Sequence, residues 1–215
     1  MSIFEKLAKN QGTISSLLGK TLAQKVLEEG QTSILCECID LATYQAAVPA
    51  SKNIRAGAAK VVEIVAKEHP GLVAPHLGKL LPALSVPEPQ TRWMIIRVMG
   101  FCAYLNKSVA QEAISYAEQY IATKEGLIIA SSADLFLGDY GCLSKEDAQR
   151  VFPILERSME TVIVNEQDWL LEALFKLFGN LSRAQQEKVL KFAEQWQHSS
   201  RKSTQQRARR ILRLM

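Results

Sequence analysis

Residues 51–105 read SKNIRAGAAKVVEIVAKEHP, GLVAPHLGKLLPALS and VPEPQTRWMIIRVMGFCAYL. The first segment is an amphipathic helix ending at a proline corner. A second helix and a second corner follow, and the third segment repeats the pattern of the first. Each outer segment has a polar approach, then an arginine (Arg55, Arg92), then an apolar run rich in small residues. A helix pair that recurs in sequence signals a repeat architecture, in which each unit buries the apolar face its neighbour cannot bury alone.

Outward from this stretch the helix-opening signals keep one interval. Thr32, Pro70, Ser108, Ser144 and Ser182 are spaced 38, 38, 36 and 38 residues. Proline is tolerated in a first helical turn. Each serine stands three residues before an amide or acid (Gln111, Asp147, Gln185), a capping-box arrangement that satisfies free N–H groups. Gly100, Gly138 and Gly179 end the apolar runs RVMG, DLFLG and KLFG at a similar period, 38 and 41 residues. No alternating strand pattern occurs. The fold class predicted is all-α, a right-handed α-solenoid of about five antiparallel helix pairs (31–69, 70–107, 108–143, 144–181, 182–215). A short capping helix pair over 1–30, closed by Gly30, precedes them in a single 1–215 domain.

The run from Ile54 to Gly100 resembles two adjacent HEAT repeats, of the HEAT and armadillo-like group, whose second helix opens on a polar turn, an arginine, then alanine and aliphatics. Aligning on Gly138 and Gly179 puts Ala130 and Leu171 where the arginine stands. A polar ladder built through that arginine is thus expected to break at the third and fourth repeats. The resemblance implies a concave face made by the second helices, where such proteins usually hold partners. Residues expected there are Arg55, Lys60, Arg92, Trp93, Arg97, Asp134 and Trp169. Each arginine has a plainer reading as scaffold between repeats, and each tryptophan as packing. Asp168 is expected to cap the second helix of the fourth repeat.

Composition narrows the function classes. The charge is +4, from 26 basic and 22 acidic residues, and Arg201, Lys202, Arg207, Arg209, Arg210 and Arg213 in the last fifteen positions carry the whole excess. Ala208, Ile211, Leu212 and Met215 form one apolar stripe there. Arg209, Arg210 and Arg213 are left as a polar cap or as a patch for an anionic partner. No apolar run approaches the roughly 20 residues of a membrane span, so the expected location is cytoplasmic. Cys36, Cys38, Cys102 and Cys142 read as structural thiols, because positions two apart on a helix point in different directions. Three histidines without HExxH spacing, and no phosphate loop or nucleophile elbow, leave no ligand or catalytic set, so neither enzyme activity nor a cofactor is expected. The predicted function is a protein-binding scaffold or adaptor, with self-association open. The alternative is nucleic-acid binding or DNA glycosylase activity on alkylated bases. A bacterial branch of HEAT-like proteins excises such bases with Trp, Asp and Arg in a basic groove.

Overall fold

The computed structural model describes residues 2–9, 17–45 and 51–214, and all regular elements among them are helical. The chain forms two compact units, Met1–Ala113 and Ile114–Met215.

The first unit opens with α1 (Ile3–Lys9) and α2 (Leu17–Glu29), then pairs α3 (Thr32–Leu41) with α4 (Ser51–Glu68). Gly30 ends α2 in the left-handed region at φ 67°, and Gln31 N–H reaches back to the Lys25 carbonyl at 3.1 Å. Glycine takes this left-handed cap conformation without a Cβ penalty. The next first helix is broken. Pro70–Ser85 runs as α5 (Pro70–Val73) and α6 (Leu77–Leu80) separated and followed by 3₁₀ turns that contain Pro75 and Pro82. Proline lacks the N–H that a continuous α-helix would use, so the segment tightens at each one. Its second helix, α7 (Pro89–Cys102), is continuous and packs on α4, which packs on α2. The unit closes with α8 (Lys107–Glu112).

The second unit repeats the scheme with α9 (Ile114–Thr123) and α10 (Leu127–Gly141), α11 (Lys145–Glu160) and α12 (Gln167–Leu177), α13 (Arg183–Trp196) and α14 (Lys202–Leu212). Its second helices α10, α12 and α14 pack in succession. First helices are amphipathic: α11 buries Ala148, Val151, Phe152 and Leu155, the i, i+3, i+4, i+7 stripe of a helix with one core face. Among the second helices, α14 buries only Thr204, Ala208 and Ile211, whereas α10 is buried almost all round and exposes little between Ile129 and Gly141. Small side chains make this possible. A Cβ on Gly138 would stand 2.6 Å from the Ala173 Cα, so the α10 and α12 backbones touch here. Gly138→Ala is expected to destabilise the unit by about 1–2 kcal/mol, an overpacking cost exceeding the gain in helix propensity. Gly179→Ala, whose Cβ meets nothing within 4 Å, is the neutral control in thermal unfolding.

The expected period holds, with local corrections. Ser144 and Ser182 cap their helices, and Ser182 completes a capping box with Gln185. Thr32 and Ser108 do not cap: they are the first and second residues of their helices, behind the N-cap positions Gln31 and Asn106. The Asn106 side chain reaches the preceding helix pair instead, donating to the Ala74 carbonyl at 3.0 Å. Asn180, 74 positions later, does the same to the Cys142 carbonyl at 2.9 Å. Of the glycines that close the apolar runs, Gly138 marks a close helix crossing and Gly179 sits in the 3₁₀ turn after α12.

Candidate partner-binding faces

The second helices of each unit carry the functional candidates, and the structure sorts them by burial. In the first unit Arg55 is only 9% exposed, and its guanidinium is fully engaged. It grips Glu88 with two bonds of 2.7 Å and donates a third to the Tyr44 carbonyl at 2.7 Å. Thr91 also donates to Glu88. Burial alone would push the Glu88 carboxyl up, but the bonds from Arg55 and Thr91 outweigh it and hold the group below its ordinary value. Arg92 is equally buried, with Nη2 directed at the Pro87 carbonyl. Both arginines act in the scaffold.

Lys60, Trp93 and Arg97 are only partly covered. Lys60 Nζ pairs with Glu63 at 2.7 Å and lies 5.9 Å from the centre of the Trp93 ring. Arg97 stands 4.6 Å over Phe101. Cation and aromatic therefore alternate along the open side of α4 and α7, each ring sharing its face with a positive charge.

In the second unit Trp169 is 41% exposed, with the Arg207 guanidinium 5.7 Å from its ring centre. Arg210 stacks on Phe175 at 3.7 Å. Both arginines converge on Glu172, at 3.4 Å and 2.8 Å. Glu172, Ser203, Gln206, Arg207 and Arg210 line an open cavity of about 330 Å³ between α12 and α14. Arg209 and Arg213 are exposed. The tail stripe is present at Ala208 and Ile211, both buried; Leu212 is partly covered, and Met215 lies outside the described residues.

Asp134 is not a groove acid. It is completely buried in α10, and neither carboxylate oxygen finds a hydrogen-bond partner. Burial and the nearby Glu166 carboxylate raise its pKa to about 8; the Ser158 hydroxyl and Lys124 pull the other way. Spacing from Gly138 placed Asp134 on a second helix correctly. Because α10 is enclosed on nearly every side, only Leu135 near its middle is partly open to solvent.

Asp168 lies in the first turn of α12, where a carboxylate suits the helix N-terminus as expected, and it also binds side chains of the next helix pair. Glu166 precedes α12 as its N-cap, and Asp168 accepts bonds from Arg201, Ser203 and Thr204 at the start of α14. The polar ladder anticipated through Arg55 survives with other residues. Glu88 is the N-cap of α7, Glu166 of α12 and Arg201 of α14. Each meets an opposite charge from the preceding helix pair of its own unit: Arg55, Lys124 (2.5 Å) and Asp168 (3.2 Å). Ala130 and Leu171 are core residues, and the last pair runs with its signs reversed. Lys124 reaches Glu166 from φ 47°, a left-handed conformation costing about 1–2 kcal/mol for a residue with a Cβ.

No group of acids, histidines and cysteines that could hold a metal occurs among the described residues. All four cysteines are free. Burial pushes the Cys38 and Cys102 thiols up to about 12, making them inert core groups, whereas Cys36 and Cys142 reach the surface. No described helix is long and apolar enough to cross a membrane.

No protein-family model and no curated protein matches the chain. Among solved structures it is similar to two engineered proteins whose crystal structures come from the Northeast Structural Genomics Consortium. The first is 14% identical, with 99% of this chain and 96% of the other aligned at a TM-score of 0.65. The second is 12% identical, with 99% and 68% aligned at 0.59. At these identities the likeness is one of fold: an all-α, solenoid-like succession of helix pairs.

Proposed function

We propose that the chain is a non-catalytic, HEAT-like protein-binding scaffold or adaptor that takes its partner on the second-helix faces. The observation that carries this reading is the composition of those faces. Partly open aromatic rings pair with cations as Lys60–Trp93, Arg97–Phe101, Arg207–Trp169 and Arg210–Phe175. Trp and Arg are the side chains most enriched at binding hot spots, because a large rigid ring and a weakly hydrated cation gain most when water is excluded. Supporting it further, Arg55 and Arg92 are buried in the scaffold, so the cations these faces present are Lys60, Arg97, Arg207 and Arg210.

Nucleic-acid binding is the second reading, supported by the basic charge of α14. Its glycosylase form also calls for an acid in the groove, and Asp134 has no exposed surface.

The test is a tagged capture from native lysate with and without nuclease, using wild type, Trp93→Ala and Trp169→Ala. A stoichiometric protein partner should survive nuclease and drop at least tenfold with one of the alanine variants, the scale of a hot-spot residue at about 2 kcal/mol. Binding that vanishes with nuclease, and duplex binding that weakens steeply with salt, would replace this reading with the second.

A further inference from the structure

We infer that the cavity between α12 and α14 is a carboxylate-binding site that takes an acidic side chain of a peptide partner. This rests on, and sharpens, the protein-binding reading above.

The cavity has the parts such a site needs. Arg207 and Arg210 point their guanidiniums at one place from successive turns of α14. Trp169 and Phe175 lie under them, so each planar cation is held by a ring face instead of swinging in water. Ser203 and Gln206 add uncharged hydrogen-bonding groups to the wall. Glu172 already inserts one carboxylate between the two arginines, at 3.4 Å and 2.8 Å. The chain's own glutamate thus demonstrates the ligand chemistry that fits. It holds the Arg207 fork only loosely, since the contact is made by a buried Nε at 3.4 Å that forms no hydrogen bond.

Charge favours an acidic peptide as the occupant. The six cations from Arg201 to Arg213 meet two acids in their ion pairs, Asp168 and Glu172. Lys202, Arg209 and Arg213 are exposed on the same helix and add positive charge that draws in an acidic ligand. A phosphodiester backbone is less well suited, because the Glu172 carboxylate stands in the cavity. A single peptide carboxylate can share the two forks with Glu172 or displace it. The exposed Trp169 ring is placed to cover an apolar neighbour of that acid.

The experiment titrates the full chain with a fluorescein-labelled, end-capped octaglutamate peptide at fixed salt, with a labelled DNA duplex in parallel. Glu172→Gln should tighten peptide binding roughly tenfold, because both guanidiniums lose their internal competitor. The double variant Arg207→Lys, Arg210→Lys keeps the charge but loses the forked, ring-stacked geometry; it should weaken binding about tenfold. Arg209→Gln with Arg213→Gln removes charge outside the cavity and should cost no more than about threefold, a screened long-range effect. Thermal unfolding of each variant confirms that it is folded. The site is overturned if the lysine variant binds as wild type does, if the outer pair matters as much as the inner pair, or if the duplex outcompetes the peptide. Unchanged capture of a lysate partner by the lysine variant would also remove this site while leaving the adaptor reading standing.

Discussion

Asp134→Asn is expected to stabilise the Ile114–Met215 unit at pH 7.5 by on the order of 3 kcal/mol, and to flatten its pH dependence. The carboxyl group is wholly enclosed without a hydrogen-bond partner and beside the Glu166 carboxylate, so it holds its proton up to about pH 8. In the unfolded chain an aspartate releases that proton near pH ~3.9. Between those limits the folded state binds more protons than the unfolded one. Stability attributable to this residue therefore falls as pH rises from about 4 to 8, then levels off. Asparagine has the same shape and no charge to bury, so its advantage should be small at pH 5 and grow toward pH 8. Urea unfolding at the two pH values is the measurement. An asparagine variant that is less stable by the same amount at both would mean that the carboxylate is ionised and well solvated in the fold. A residue this costly to keep is a departure from packing logic, and the two nearby charges, Lys124 and Glu166, belong to the inter-repeat ladder.

The second large effect lies in the other unit. Arg55→Ala should destabilise it by about 3–5 kcal/mol, because the Glu88 carboxylate then stays buried without its cation. The pair itself is worth much less than this, since both charges gave up water to form it. Arg55→Met combined with Glu88→Gln should therefore recover more than half of the loss, which separates an orphaned charge from a lost contact. The pH signature has the opposite sign to that of Asp134. Glu88 is held below its ordinary value, so the pair contributes fully above pH ~4.3 and loses its contribution as pH falls through the lower folded value. Wild type and Arg55→Ala should converge in stability under acid and diverge toward neutrality.

What the sequence by itself determined was the period and the class of fold. Caps, prolines and apolar stripes act within a turn or two of their own position. Ser144 and Ser182 therefore read correctly, as did Pro70, Gly30 and the helix pairs they delimit. The reading of all four cysteines as structural thiols holds for the buried Cys38 and Cys102 and not for Cys36 and Cys142, which are exposed. The surface composition of the tail, with Arg209 and Arg213 outward and Ala208 and Ile211 inward, was legible from one helix alone.

Only tertiary structure decided which polar residue meets which. Arg55 finds Glu88 and Asp168 finds Arg201, each across 33 residues, and no local signal ties those positions together. A ladder read from one arginine therefore appears to stop at Ala130 and Leu171, although opposite charges at other positions continue it. Burial of Asp134 was likewise invisible, because periodicity fixes which residues share a helix face but not how many neighbours enclose that helix. The cavity that holds Glu172, Arg207 and Arg210 exists because α12 and α14 pack side by side, bringing together side chains 35 and 38 positions apart.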